Sequence, residues 1–212
     1  MFGIIIKSVL KFDYAKSASL EDALYEYLEV CRLVRAKASD LILDVGCGLG
    51  HLRAVYPNVV GVDLAVNSRA DVLADARHLP FRDGVFDVAV SIEVLEHLDR
   101  DGGVEMLREM CRVAHRVGVS TANRITGPHD ERHVYEWSFF ELYQTLKRLG
   151  VKEFLGYGFG GCFTRNRIVR RVLFAFFPWW MWCQWFAIGG LIEQTTTLQS
   201  YNRSPSRAEV SN

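Results

Sequence analysis

Glu93, Glu96 and His97 stand in an ExxEH arrangement directly after the apolar run Phe86-Asp87-Val88-Ala89-Val90-Ser91-Ile92. On a helix, positions i, i+3 and i+4 share one face, so two carboxylates and an imidazole would converge there. Such a set can hold a divalent ion or supply a general base to an acceptor hydroxyl. Acidic residues are also favoured in a first helical turn by the helix dipole, which accounts for the glutamates without any chemistry. A second source of proton-transfer groups is the ring-rich stretch Gly127-Pro128-His129-Asp130-Glu131-Arg132-His133-Val134-Tyr135-Glu136-Trp137-Ser138. Histidine as a residue type titrates near neutrality, so His129 or His133 could take a hydroxyl proton; as surface histidines they would do nothing.

The other chemical motif is Leu43-Asp44-Val45-Gly46-Cys47-Gly48-Leu49-Gly50. Glycines let a backbone turn tightly and approach a ligand with no Cβ between them. The pattern is D-x-G-x-G-x-G, whereas a dinucleotide fingerprint needs G-x-G-x-x-G with a pyrophosphate on the following helix N-terminus. Gly50 falls one position early, and Asp44 would set negative charge beside phosphates. A nucleoside bearing an amino acid with a cationic amine fits this loop better.

These residues need a scaffold. Leu20, Ala23, Leu24, Tyr27, Leu28, Cys31 and Val34 recur at helical spacing, predicting a helix over 20–36. Leu41-Ile42-Leu43 reads as a buried parallel strand, followed by the glycine loop and an expected helix. Further strands are predicted at 59–62, 86–92, 117–122 and 151–157, with helices at 104–113 and 139–149. Ser138 and Glu141 have capping-box spacing at the start of the last helix. Alternating strands and helices predict an α/β fold, a Rossmann-like doubly wound, mostly parallel sheet with helices on both faces, whose ligand lies beyond the carboxyl ends of the strands. Every motif above falls at such an end.

Across roughly 41–157 the sequence resembles the class I S-adenosylmethionine-dependent methyltransferases, in which an acid followed by a GxGxG loop holds the methionine end of the cofactor. The resemblance assigns cofactor contacts to Asp44, Gly46, Cys47, Gly48 and Gly50. It gives Asp63 the ribose hydroxyls, which a carboxylate can accept as a pair. It gives Asp75 the adenine amine, Leu64 or Ala76 a place against the ring, and Ile92 a place lining the cleft. ExxEH together with Ser120-Thr121-Ala122-Asn123-Arg124 is similar to the O-methyltransferases of ubiquinone biosynthesis. That similarity implies magnesium on Glu93, Glu96 and His97. Departures from it are a short segment after Arg124 and an apolar carboxyl-terminal run without counterpart.

Composition narrows the partners. Among 212 residues, Lys+Arg and Asp+Glu balance at 25 each, so no overall positive field gathers phosphate backbones. This argues against a nucleic-acid acceptor and for a small-molecule or lipid-linked one: quinone-like, glycolipid or another metabolite. Five scattered cysteines have no metal-ligand spacing and suit a reducing, cytoplasmic setting. The start, MFGIIIKSVLKFDY, reads as a docked helix or a weak amphipathic segment rather than a signal peptide.

The catalytic domain is expected over 1–161, an apolar helical appendage over 162–192 and a polar tail or last strand over 193–212. Arg165, Arg167, Arg170 and Arg171 precede an uncharged run over 172–192 that is rich in Trp and Phe and contains Pro178. Its length is close to the roughly 20 residues a bilayer span needs, but tryptophan favours the interface and proline breaks a straight helix. Three readings follow: docking on a membrane surface through 165–192, a true span, or a buried lid, with the seventh strand of the sheet returning at 190–197. The expected activity is methyl transfer to acceptor oxygen by Glu96, His97, His129 or His133. Its rivals are a non-catalytic S-adenosylmethionine-binding protein and a nucleic-acid methyltransferase.

Overall fold

The computed structural model describes residues 20–124, 131–159 and 185–192. Seven strands form one sheet in the order β3-β2-β1-β4-β5-β7-β6. The strands are β1 (Ile42–Val45), β2 (Val59–Asp63), β3 (Val72–Leu73), β4 (Phe86–Ile92), β5 (Ala114–Ala122), β6 (Val151–Phe159) and β7 (Trp185–Ile192). The first five pair in parallel, and β7 runs antiparallel to both of its neighbours. The chain order reverses between β1 and β4, opening a crevice at their carboxyl ends, where this class of sheet binds ligands.

Side-chain alternation sends successive strand residues to opposite layers. Ile42, Val88, Val90 and Ile92 meet Tyr27, Val30, Cys31 and Val34 of α1 (Leu20–Leu33) and the turn that follows it. Leu43, Val45, Ala89, Val117 and Val119 meet Met106, Leu107 and Met110 of α2 (Arg100–Val113) and Leu142 and Leu146 of α3 (Phe139–Arg148). Covered on both faces, the central strands read as near-continuous apolar runs.

Helix starts follow local chemistry. Asp99 caps α2 by accepting from Gly102 N–H at 2.7 Å. Ser138 caps α3 by accepting from Glu141 N–H at 3.2 Å. The Glu141 side chain does not close the expected reciprocal box; it accepts instead from Arg100 Nε at 2.9 Å and Tyr135 O–H at 2.7 Å, tying α3 to α2.

Three expectations are corrected. The helix after the glycine loop is a 3-10 turn at His51–Ala54; Pro57 disfavours helical backbone at the residue before it, so no room remains for a longer helix. ExxEH itself ends in another 3-10 turn, Leu95–His97, and does not open an α-helix. Glu93 takes a left-handed conformation, φ 55°, which swings the chain away from the α-helical path. The seventh strand lies at Trp185–Ile192 rather than 190–197, so the last eight residues of the uncharged run belong to the sheet. Ala187 and Ile188 are fully buried there, because a strand between β5 and β6 is covered on both faces. Among the described residues no helix is long and apolar enough to cross a membrane. Residues 1–19, 160–184 and 193–212, with the amino-terminal segment, the arginines and most of the apolar run, lie outside the described residues.

Candidate functional site

Asp44 is the third residue of the fully buried strand β1, two positions before Gly46 of the glycine loop. Its side chain is fully buried, and neither carboxylate oxygen completes a hydrogen bond. Burial pushes this carboxyl up to about 7; the Arg53 guanidinium and the Tyr27 hydroxyl from α1 oppose that rise, and the Asp63 charge adds to it. A buried, unsatisfied carboxylate is costly unless a cation or donor arrives. Such an arrangement can receive a positively charged group.

Gly46, Gly48 and Gly50 all have positive φ, at 75°, 50° and 70°. Gly46 and Cys47 donate to the Val62 carbonyl at 2.8 and 3.0 Å, which fastens the loop to the end of β2. Gly48 N–H donates to Asp63 Oδ2 at 2.9 Å, and Ala65 N–H donates to Asp63 Oδ1 at 2.8 Å. Each oxygen keeps a further lone pair for a diol. The Cys47 side chain, by contrast, is 1 % exposed and packs on Gly61 of β2, and burial pushes its thiol up to about 12. Only its backbone faces the loop's ligand side.

A ring of residues not read from the sequence braces this loop. Arg53 donates to the Arg69 carbonyl at 2.7 Å and pairs with Asp71. Asp71 Oδ2 also accepts from Gly61 N–H at 2.8 Å, and Arg69 N–H donates to the Gly48 carbonyl at 2.8 Å. The signals that could have found them are Arg53 in the turn after the glycine loop, whose charge also acts on Asp44, and Arg69 and Asp71 shortly after β2.

On the expected adenine side, Leu64 is 53 % exposed and Ala76 packs partly on the core. Asp75 is already committed: Oδ1 accepts from Arg77 N–H at 2.9 Å and Arg77 Nε at 3.0 Å, and Oδ2 from Arg77 Nη2 at 2.6 Å. These bonds hold its carboxyl below the usual range. Ile92 lies under α1 in the cluster with Tyr27 and Val30, 8 % exposed.

The acidic cluster forms across the carboxyl ends of β4 and β5. Thr121 O–H donates to Glu96 Oε2 at 2.9 Å, and Ser120 O–H donates to Glu93 Oε1 at 3.3 Å. Glu96 is 1 % exposed, and its Oε1 has no hydrogen-bond partner. Desolvation, followed by the charges of Glu96 and Glu26, holds the Glu93 carboxyl well above the usual range. The raised value favours the protonated form of Glu93 beside Glu96.

The segment before α3 closes on this cluster. Val134 and Tyr135 N–H groups donate to the Glu96 carbonyl at 2.8 and 3.2 Å. His97 Nδ1 lies 3.1 Å from the Arg132 carbonyl, which can only accept, so Nδ1 carries the proton and Nε2 is the basic nitrogen. The His97 and His133 rings meet edge to face with centroids 5.4 Å apart. Among the described residues, Glu96, His97 and His133 each bring one ligand atom to within 4.8 Å of the other two. Glu93 is not part of that convergence, and His133, from the segment before α3, is. His129 lies outside the described residues.

Cys31, Cys47 and Cys111 are buried and unpaired.

The family described as "Methyltransferase domain" matches residues 43–121, which span the glycine loop, Asp63, Asp75 and the ExxEH cluster. A "Probable S-adenosylmethionine-dependent methyltransferase" of Mycolicibacterium smegmatis is 33% identical over 150 residues, covering 59% of this chain and 58% of that protein. "Probable tRNA methyltransferase 9B" of Mus musculus is 34% identical over 88 residues, 36% of this chain and 20% of that one. The crystal structure of a SAM dependent methyltransferase from Archaeoglobus fulgidus superposes with a TM-score of 0.66 at 18% identity, covering 85% of this chain and 97% of that one. This chain spans about half the length of several curated relatives it matches.

Proposed function

We propose that the chain, whose residues 43–121 match a methyltransferase domain, transfers a methyl group from S-adenosylmethionine to an oxygen of a small-molecule or lipid-linked acceptor. The observation that carries the cofactor assignment is Asp44, whose two buried oxygens lack partners beneath a loop of left-handed glycines. An ammonium-bearing ligand would complete those bonds and hold Asp44 ionised. Asp63 offers its remaining lone pairs to a ribose diol, and the 75–77 turn offers backbone and Ala76 to a base.

Bound, the cofactor supplies a sulfonium methyl already activated for transfer, so the protein's task is alignment and proton removal. The methyl group passes from sulfur to the acceptor oxygen, and the hydroxyl proton goes to a base of this chain. His97 Nε2 is suited to that role, with its tautomer set by Arg132 and its ring beside the Glu96 carboxylate. His133 shares the site, and His129 remains a candidate from the sequence. A quinone-like phenol, a glycolipid hydroxyl and other metabolite hydroxyls all fit this chemistry.

Attachment to a membrane surface would have to be carried by 165–184, since 185–192 is a strand inside the sheet. The names of relatives favour a second reading, a tRNA acceptor. Calorimetric titration with S-adenosylmethionine tests the shared premise, with Asp63→Ala expected to weaken binding. Labelled S-adenosylmethionine offered with lipid extract, small-metabolite extract and total RNA in parallel then separates the acceptors. Label in the lipid or metabolite fraction is expected, and label only in RNA overturns the proposal.

A further inference from the structure

We propose that Glu96, His97 and His133 form a binding site for a divalent first-row transition ion of the zinc type, at the carboxyl end of β4. The three side chains come from two separate segments, the turn after β4 and the approach to α3, yet their ligand atoms fall within 4.8 Å of one another. Ordinary packing would leave such groups satisfied by hydrogen bonds. Here two of the three carry buried atoms with no partner, Glu96 Oε1 and His133 Nδ1. The Glu96 side chain is almost wholly buried, and that of His133 is 6 % exposed.

The groups around the trio are those that orient metal ligands. Metal-bound histidine usually donates its other ring N–H to a carbonyl or carboxylate. His97 does so through Nδ1 to the Arg132 carbonyl, which turns Nε2 to the ligating role. A ligating carboxylate is itself usually hydrogen-bonded, and Thr121 supplies that bond to Glu96 Oε2. Glu136 Oε1 lies 3.7 Å from His133 Nδ1, close enough to add negative charge beside the site.

Two imidazoles and one carboxylate select the ion. Magnesium prefers an octahedron of oxygens and keeps most of its waters. Imidazole suits zinc, cobalt, nickel, copper and iron, and three protein ligands leave a position open. At the carboxyl end of β4 such an ion would lower the pKa of an acceptor hydroxyl bound at its open position and take over the role given above to the His97 imidazole. An ion there would also pin the segment before α3 onto the turn after β4. Binding rests on these three side chains alone and does not depend on the cofactor or acceptor assigned above.

The test uses the full chain stripped with a chelator, by equilibrium dialysis against Zn²⁺ and by the visible spectrum on titration with Co²⁺. One zinc ion per chain is expected, together with cobalt bands characteristic of nitrogen and oxygen ligands, and millimolar Mg²⁺ should not displace the zinc. His97→Gln, His133→Gln and Glu96→Gln should each weaken zinc binding at least about tenfold, an effect seen even for outer ligands. Circular dichroism and S-adenosylmethionine titration of each variant report whether the fold survives. His115→Gln, at the opposite end of β5, should leave zinc affinity unchanged. Absence of stoichiometric zinc, or affinity that survives His133→Gln in a folded variant, overturns the site. Methyl transfer without zinc binding would remove the metal and leave the proposed activity standing.

Discussion

Gly46 of the glycine loop and Val94 of the turn after β4 are packed so closely that a Cβ on Gly46 would overlap Val94 Cγ2. This contact joins the wall formed by the glycine loop to the wall formed by the turn that carries Glu93 and Glu96. Gly46→Ala therefore carries two penalties: about 1–2 kcal/mol for a left-handed L-residue and about 1–3 kcal/mol for the overlap. Denaturant unfolding of Gly46→Ala, Val94→Ala and the double variant separates them. The double variant should recover the overlap part and not the conformational part, whereas strict additivity would mean the two walls are not in contact.

Asp44→Asn should stabilise the ligand-free protein and abolish its cofactor binding. Burial raises the Asp44 carboxyl from 3.8 to about 7. Between those values the folded chain holds a proton that the unfolded chain has lost, so stability falls as pH rises through that window. Asparagine removes the loss. Its melting temperature should exceed that of wild type at pH 8, by roughly 2–4 °C for each kcal/mol in a chain of this size, and the difference should vanish near pH 4. In wild type, affinity for a cationic cofactor should drop about tenfold per pH unit below pH 7, because Asp44 must ionise to bind it. Scanning melts and calorimetry across the same buffers check both signs, and a pH-independent affinity would take Asp44 out of the amine site.

Glu93→Gln should fold as wild type does and flatten the alkaline side of its stability profile. Desolvation and the charges of Glu96 and Glu26 hold the wild-type carboxyl well above its usual range. Because its folded pKa lies above the unfolded value, the stability it contributes is present at low pH and is lost as pH rises through the folded value. Glutamine mimics the protonated form and has nothing to lose. Glu93→Leu, which leaves Glu96 without that neighbour, should cost about 1–3 kcal/mol. Thermal melts from pH 5 to about pH 9 distinguish the two substitutions, and a glutamine variant as unstable as the leucine one would show that Glu93 is ionised in the folded protein.

The cofactor side of this fold was legible because its signals are local. Asp44 and the glycines, Asp63 at a strand end and the apolar Phe86–Ile92 strand each follow from a few adjacent residues. Long-range terms hid the rest. His133 joins Glu96 and His97 through backbone bonds to the Glu96 carbonyl that no spacing rule encodes. Trp185–Ile192 resembled a membrane-facing run because a strand buried on both faces has the same uncharged composition as a lipid-exposed one. The two-residue strand Val72–Leu73 is too short to show a period.

The last prediction concerns α1, whose approach to the sheet is set by two glycines on neighbouring strands. A Cβ on Gly118 would stand 2.7 Å from Val30 Cγ1 and 2.9 Å from Val34 Cγ1, and one on Gly189 would stand 2.7 Å from Val34 Cγ1. Either methyl would lift α1 away from the sheet. The same helix carries Tyr27, 5 % exposed, whose hydroxyl is directed at Asp44 and is itself pushed well above its usual pKa by burial and that charge. Gly118→Ala should therefore weaken cofactor binding without touching a cofactor contact, while also costing about 1–3 kcal/mol of stability as an overpacked core does. Adding Val34→Ala and Val30→Ala should restore affinity in part, by making room for the new methyl. Tyr27→Phe separates position from chemistry: it keeps the packing of α1 and removes the hydroxyl that favours ionised Asp44. Calorimetric affinities for these variants, measured at pH 8 where Asp44 is already charged and again at pH 6, give the answer. If α1 acts through the Tyr27 hydroxyl, Tyr27→Phe should lose more affinity at pH 6 than at pH 8, whereas an equal loss at both would assign the helix a packing role alone.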